Sequence, residues 1–172
     1  MTKLPGPDPD EGPLNMVFTN VNDWLRFAEA KHGALIALNG AGTLGILSML
    51  FGESHVSADV RCALGGLAVA LVVSTIVSLL SFIARTPPAG GNLLYFRDIA
   101  EYPTDTEEYL NAVRNRYLET SGRDQLNRDI ASQIVSNSKV TNRKYKLFNL
   151  GALITLLAMV SATIVVIYSS IR

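Results

Sequence analysis

"AEAKHGALIALNGAGTLGILSMLFG", Ala28–Gly52, decides the fold. It opens with Glu29, Lys31 and His32, then runs 20 residues from Gly33 to Gly52 without a charge. A helix rises about 1.5 Å per residue, so roughly 20 apolar residues cross a hydrocarbon core about 30 Å thick. The stretch is long enough to span a membrane, and the charged lead is an amphipathic helix entering it.

Two further stretches repeat the pattern: Cys62 to Ala84 is charge-free over 23 residues and Leu147 to Ile171 over 25. Three such runs in 172 residues predict an all-α integral membrane protein. A zero formal net charge, with 15 basic and 15 acidic residues, points to no nucleic-acid partner. The N-terminus is polar and acidic ("GPDPDEGP"), unlike a cleaved signal peptide, so the first span is expected to persist. Cys62 is the single cysteine and can form no intrachain disulfide.

Orientation follows from the basic residues. Arg61 is the one basic residue between Glu53 and Arg61, whereas the segment from Arg85 to Lys146 carries ten. The positive-inside rule places that segment and the N-terminus in the cytoplasm, and the loop and C-terminus outside, with the bacterial inner membrane as the expected location.

Along the chain, 1–13 reads as a disordered tail. Residues 14–32 follow as a cytoplasmic amphipathic helix with Val17, Val21, Trp24, Leu25 and Ala28 at helical spacing. It continues into the first span, 33–52. An external loop, 53–61, precedes the second span, 62–84. The cytoplasmic region 85–146 starts with the helix-breaking "RTPPAGG" and carries "NLLYFRDIAEY". "DTEEYLNAVRNRYLETSG" reads as a helix with acids first, arginines last and Gly122 as its stop. From Arg123 a helix runs unbroken into the third span, 147–171.

"GAGTLG", Gly40–Gly45, has the form of a dinucleotide-binding glycine motif, but no strand precedes it. Packing explains the small residues better. Gly33, Ala37, Ala41 and Gly45 stand four apart, and Gly66, Ala70 and Ser74 repeat the stripe in the second span, spacing that lets helices approach closely within or between protomers. A homo-oligomer is therefore expected. Asn39 must find a partner inside the membrane, on another helix or in a wet cavity.

Lys31, Arg143, Lys144 and Lys146 cluster at one membrane edge. Snorkelling onto anionic lipid explains them. So does an anion site, in which Lys31, Asn137, Arg143, Lys144 and Tyr145, with Asn92 and Tyr95, offer cations, amides and a ring to one phosphate and one base. No metal motif or nucleophile–base set stands out, so no catalytic residue, metal or cofactor is expected.

The blocks "AEAKHGALIALNG", "NLLYFRDIAEY" and "QIVSNSKVTNRKYKLFN" together resemble the Pycsar transmembrane effector family of bacterial anti-phage defence. The shared positions are Ala28 or Ala30, Lys31 and Asn39; Asn92, Tyr95, Phe96 and Asp98; and Asn137, Ser138, Arg143, Lys144 and Tyr145. The resemblance implies a non-enzymatic effector that binds cyclic UMP or cyclic CMP made by a partner nucleotide cyclase. It also implies that the effector then impairs the inner membrane, so that the infected cell dies or arrests. The alternative is a constitutive or partner-gated holin-like protein with no nucleotide ligand.

Overall fold

The computed structural model describes residues 11–52, 57–83, 91–102, 106–118 and 122–171. Every regular element among them is a helix: α1 Glu11–Phe51, α2 Ala58–Leu79, α3 Phe96–Ile99, α4 Thr106–Tyr117 and α5 Gly122–Ile171. Three of these, α1, α2 and α5, are long and apolar enough to cross a membrane. The chain divides into two compact units, one of Met1–Leu25 with Arg85–Thr141 and the other of Arg26–Ala84 with Asn142–Arg172.

Several boundaries differ from those read off the sequence. Helix α1 begins at Glu11, inside the segment expected to be a tail, because Pro13 lies in the first turn, where a missing N–H leaves no bond unmade. Residues 1–10 lie outside the described residues. Helix α2 starts at Ala58, within the expected loop, because Ser57 caps it: the Ser57 hydroxyl accepts from the Val60 N–H at 3.4 Å. Helix α4 is shorter than its sequence pattern, ending at Tyr117. Gly122 opens α5 instead of stopping α4, and a Cβ there would lie 2.3 Å from the Tyr117 carbonyl carbon. Only glycine allows that approach.

The unit of Arg26–Ala84 and Asn142–Arg172 holds the three spans. Its buried positions recur at steps of three, four or their sum: Ala28, His32, Leu35, Asn39 and Ile46 on α1; Leu64, Ala68, Leu71, Ser74 and Ser78 on α2; and Lys144, Gly151, Thr155 and Ala162 on α5. That is the spacing of the buried seam of a helix bundle. Its two ends differ chemically. Towards the Gly52–Ser57 connection the seam is apolar, with Ile46, Leu64, Ala68 and Leu71 forming the core cluster. Towards the Lys31 and Lys144 end it is polar, and His32, Asn39, Ser74 and Ser78 are fully buried.

Small residues admit the helices to one another. A Cβ on Gly151 would stand 3.2 Å from Leu35 Cδ2 and Ser78 Oγ and 3.3 Å from Ser74 Oγ, so α5 meets both neighbours there. One on Gly42 would stand 3.1 Å from Leu71 Cδ1. The expected stripe behaves differently: Gly33, Ala37, Ala41 and Gly45 are all exposed, and nothing lies within 4 Å of a Cβ built on Gly33, Gly45 or Gly66. Among the described residues these glycines meet no helix of their own chain. Asn39 and Ser74 are the members of the predicted set that sit deepest in the seam.

Candidate functional site

The predicted ligand residues are distributed over both units. In the span-bearing unit, Lys31 places its ammonium over three rings, 4.6 Å from the Phe27 centroid, 5.1 Å from Tyr145 and 5.4 Å from Phe148. Such an aromatic enclosure holds a cation by its ring faces where water is scarce. Lys144 is buried, donates to Glu29 Oε1 at 2.9 Å and lies 5.1 Å from the Phe82 ring. Its carbonyl accepts from His32 Nε2 at 2.9 Å. Arg143 and Tyr145 are half-buried and Lys146 exposed. Lys31, Lys144 and Tyr145 are thus brought together at one end of the bundle, with both ammonium groups already partnered.

In the other unit, Asn92 and Asn137 serve helix junctions. The Asn92 N–H donates to Asp98 Oδ2 at 2.7 Å, its side-chain carbonyl accepts from the Leu94 N–H at 2.9 Å, and its amide donates to the Asp129 carbonyl at 3.1 Å. Tyr95 stacks edge-on against Phe96. The Asn137 amide donates to Asn22 Oδ1 at 2.8 Å, joining α5 to α1.

The sequence reading missed the centre of that unit, Asp129. Its carboxylate accepts from Arg116 at 2.8 and 3.1 Å, from the Tyr117 hydroxyl at 2.7 Å and from Gln125 at 3.0 Å. Burial pushes this carboxyl up, but the hydrogen bonds from Arg116 and Tyr117 outweigh it and hold it below its ordinary range. Burial and the bond to Asp129 push the Tyr117 phenol up, and the same carboxylate raises Arg116. These hydrogen bonds tie α4 to the start of α5. One acid within "RDQLNRDI" carried no signal for this; two of its partners come from a different helix.

A pocket of about 640 Å³ opens beside this centre, lined by Asp98, Glu101, Tyr102, Glu108, Asn115 and Arg116 among others. Its three carboxylates face one guanidinium already bound to Asp129, a poor field for an anion. No group of three or more metal-binding side chains occurs among the described residues.

The span-bearing unit holds a second polar centre. Asn39 Nδ2 donates to Ser74 Oγ at 2.8 Å, and Ser74 Oγ donates to the Gly151 carbonyl at 2.8 Å. Thr155 Oγ1 has two acceptors in reach, Asn39 Oδ1 at 3.0 Å and Ser74 Oγ at 2.9 Å. All three spans meet at these four residues.

The Pycsar effector protein domain matches residues 14–171. The Pycsar effector protein PtPycTM of Propioniciclava tarda is 29% identical over 149 residues, covering 84% of this chain and 72% of its own length. RsPycTM, the Pycsar effector protein of a Rhizobium species, is 27% identical over 150 residues, with 81% and 85% covered. No solved structure matches the chain. A domain match over nearly the whole chain, on a bundle of three membrane-length helices, makes this protein a member of the Pycsar effector family, a membrane effector of antiviral defence.

Proposed function

We propose that this chain binds a cyclic pyrimidine mononucleotide, cyclic UMP or cyclic CMP, made by a partner nucleotide cyclase on infection, and then impairs the bacterial inner membrane so that the cell dies or arrests. The observation that carries the reading is the Pycsar effector match across 14–171 on a chain with three membrane-length helices. The same proposal has the N-terminus and the basic segment on the cytoplasmic side, where a cyclase releases its product.

The chemistry of the Lys31 and Lys144 end supports it. A phosphate can compete with Glu29 for the Lys144 ammonium, and a pyrimidine can compete with Lys31 for the Tyr145 ring. Exchange of one partner for another makes the ligand a switch as well as an occupant. Helices α1 and α5 are unbroken past these residues, so a displacement there is carried along each helix into its span. Moving a two-state equilibrium from 1:99 to 99:1 takes about 5.5 kcal/mol of differential binding. Self-association through the exposed Gly33–Gly45 stripe adds to what one ligand supplies.

The test is titration of the purified protein with cyclic UMP, cyclic CMP, cyclic AMP and cyclic GMP, following thermal stability and particle size. Selective stabilisation by one pyrimidine nucleotide is expected. No response to any of the four would replace this reading with a constitutive or partner-gated membrane protein.

A further inference from the structure

Hydroxyls inside a membrane have a local solution: bonding to the carbonyl one turn back. Thr43, Ser48, Thr75, Ser161, Thr163 and Ser170 all take it, at 2.7–3.0 Å. Ser78 and Ser81 do not. Both are buried, at 0% and 6% exposure, and neither Oγ has a hydrogen-bond partner among the described residues. Ser78 Oγ lies 3.2 Å from where a Cβ on Gly151 would stand, so it points between α2 and α5.

His32 shares the pattern. Its ring is fully buried between Phe82 and Phe148, with centroids 5.9 and 5.8 Å away. Because a carbonyl only accepts, Nε2 carries the proton donated to Lys144, and Nδ1 of the neutral ring is an acceptor without a donor among the described residues. Three orphaned polar atoms therefore occur in the polar half of one seam. Ser81 and Ser78 continue at helical spacing into Ser74, and on α1 His32 leads two turns on to Asn39. Buried polar side-chain atoms with no protein partner are positions that ordered water commonly satisfies.

We propose that His32, Ser81, Ser78 and the Asn39–Ser74–Thr155 centre form a blind-ended file for bound water, entered from the Lys31 and Lys144 end and closed by the Ile46, Leu64, Ala68 and Leu71 layer. The ligand is water, and the file is the inner half of a path for protons. This deepens the proposed function and rests on it in one respect: if membrane impairment is a leak, parting the apolar layer would join the file to the opposite face. The resting protein stays tight because that layer contains no polar side chain to hydrate.

Cysteine accessibility in nanodiscs, without any nucleotide, tests the file independently of the sensing reading. In a Cys62→Ser background, Ser81→Cys and Ser78→Cys should be modified by a small charged methanethiosulfonate. Ala68→Cys should stay unmodified, and Ser138→Cys on the exposed face of α5 serves as the positive control. Protection of both Ser78→Cys and Ser81→Cys while Ser138→Cys reacts would overturn the proposal, and modification of Ala68→Cys would overturn its blind end. Water-edited solid-state NMR of the unsubstituted protein guards against misfolded variants: transfer from water to the His32 ring is expected, and its absence would refute the file. Leu71→Ser should add a proton leak to dye-loaded proteoliposomes that Ser78→Val suppresses; a tight Leu71→Ser variant would remove the apolar layer's role as the closure.

Discussion

Thr155 and Asn39, 116 positions apart in sequence, are 3.0 Å apart between Oγ1 and Oδ1, and Ser74 closes the triangle at 2.8 Å from Asn39 and 2.9 Å from Thr155. One amide and two hydroxyls thereby bind three spans in a solvent where apolar surface supplies no drive to associate.

Replacing Thr155 by Val keeps the shape and deletes the hydroxyl. Interhelical hydrogen bonds in membranes average about 0.6 kcal/mol and reach about 1.7. Thr155→Val is therefore expected to destabilise the bundle by about 1 kcal/mol in a denaturant titration in mild detergent, and Thr155→Ser to recover most of it. A Thr155→Val variant as stable as the parent, with Thr155→Ser destabilised, would mean that the methyl packing, not the hydroxyl, is what matters.

Gly151 and Gly45 separate contacts within the chain from contacts between copies. Gly151→Val should push α5 away from Leu35, Ser74 and Ser78 and cost about 1–3 kcal/mol of stability. Gly45 has no neighbour within 4 Å of its Cβ position, so Gly45→Leu should leave the monomer's unfolding midpoint unchanged and instead reduce particle size and membrane impairment. Denaturant titration and sedimentation in detergent check the pair, and an unaltered assembly for Gly45→Leu would release the stripe from that role.

The Asp129 centre gives the polar unit an acid limit. Its carboxyl is held below the ordinary value of 3.8, so the stabilisation is fully present above that pH and is lost as pH falls through the lowered native value. Far-UV and near-UV circular dichroism from about pH 5 down to about pH 2, the range over which such a carboxylate titrates, should show loss of α4 packing. Asp129→Asn should flatten that acid slope and cost about 1–3 kcal/mol at neutral pH, since Arg116 then loses its partner in a half-buried place.

At the basic end, Lys144→Ala and Lys31→Ala should abolish the nucleotide response while membrane insertion persists. Lys144→Ala also leaves Glu29 without its cation, so Lys144→Ala with Glu29→Gln separates lost binding from an unpaired carboxylate. Thermal shift with the cyclic pyrimidine nucleotides reads this directly; normal responses from both single variants would move the ligand elsewhere.

Helix type, the three membrane-length segments and the unbroken run of the polar leads into the first and third spans were legible in the sequence. Charge-free length and 3.6-residue periodicity are local properties, and the membrane leaves the backbone few alternatives. The choice of face was not. Gly33, Ala37, Ala41 and Gly45 stand out by composition, yet the seam runs through Ala28, His32, Leu35, Asn39 and Ile46, a three-and-four alternation masked by mixed polarity. In a bundle the buried face is chosen by what the partner helices present, so the Asn39 amide and the Thr155 hydroxyl select each other only once folded. Asp129 makes the same point outside the spans: one carboxylate acquires its place only when Arg116 and Tyr117 arrive from another helix, a coincidence in space that no local pattern encodes.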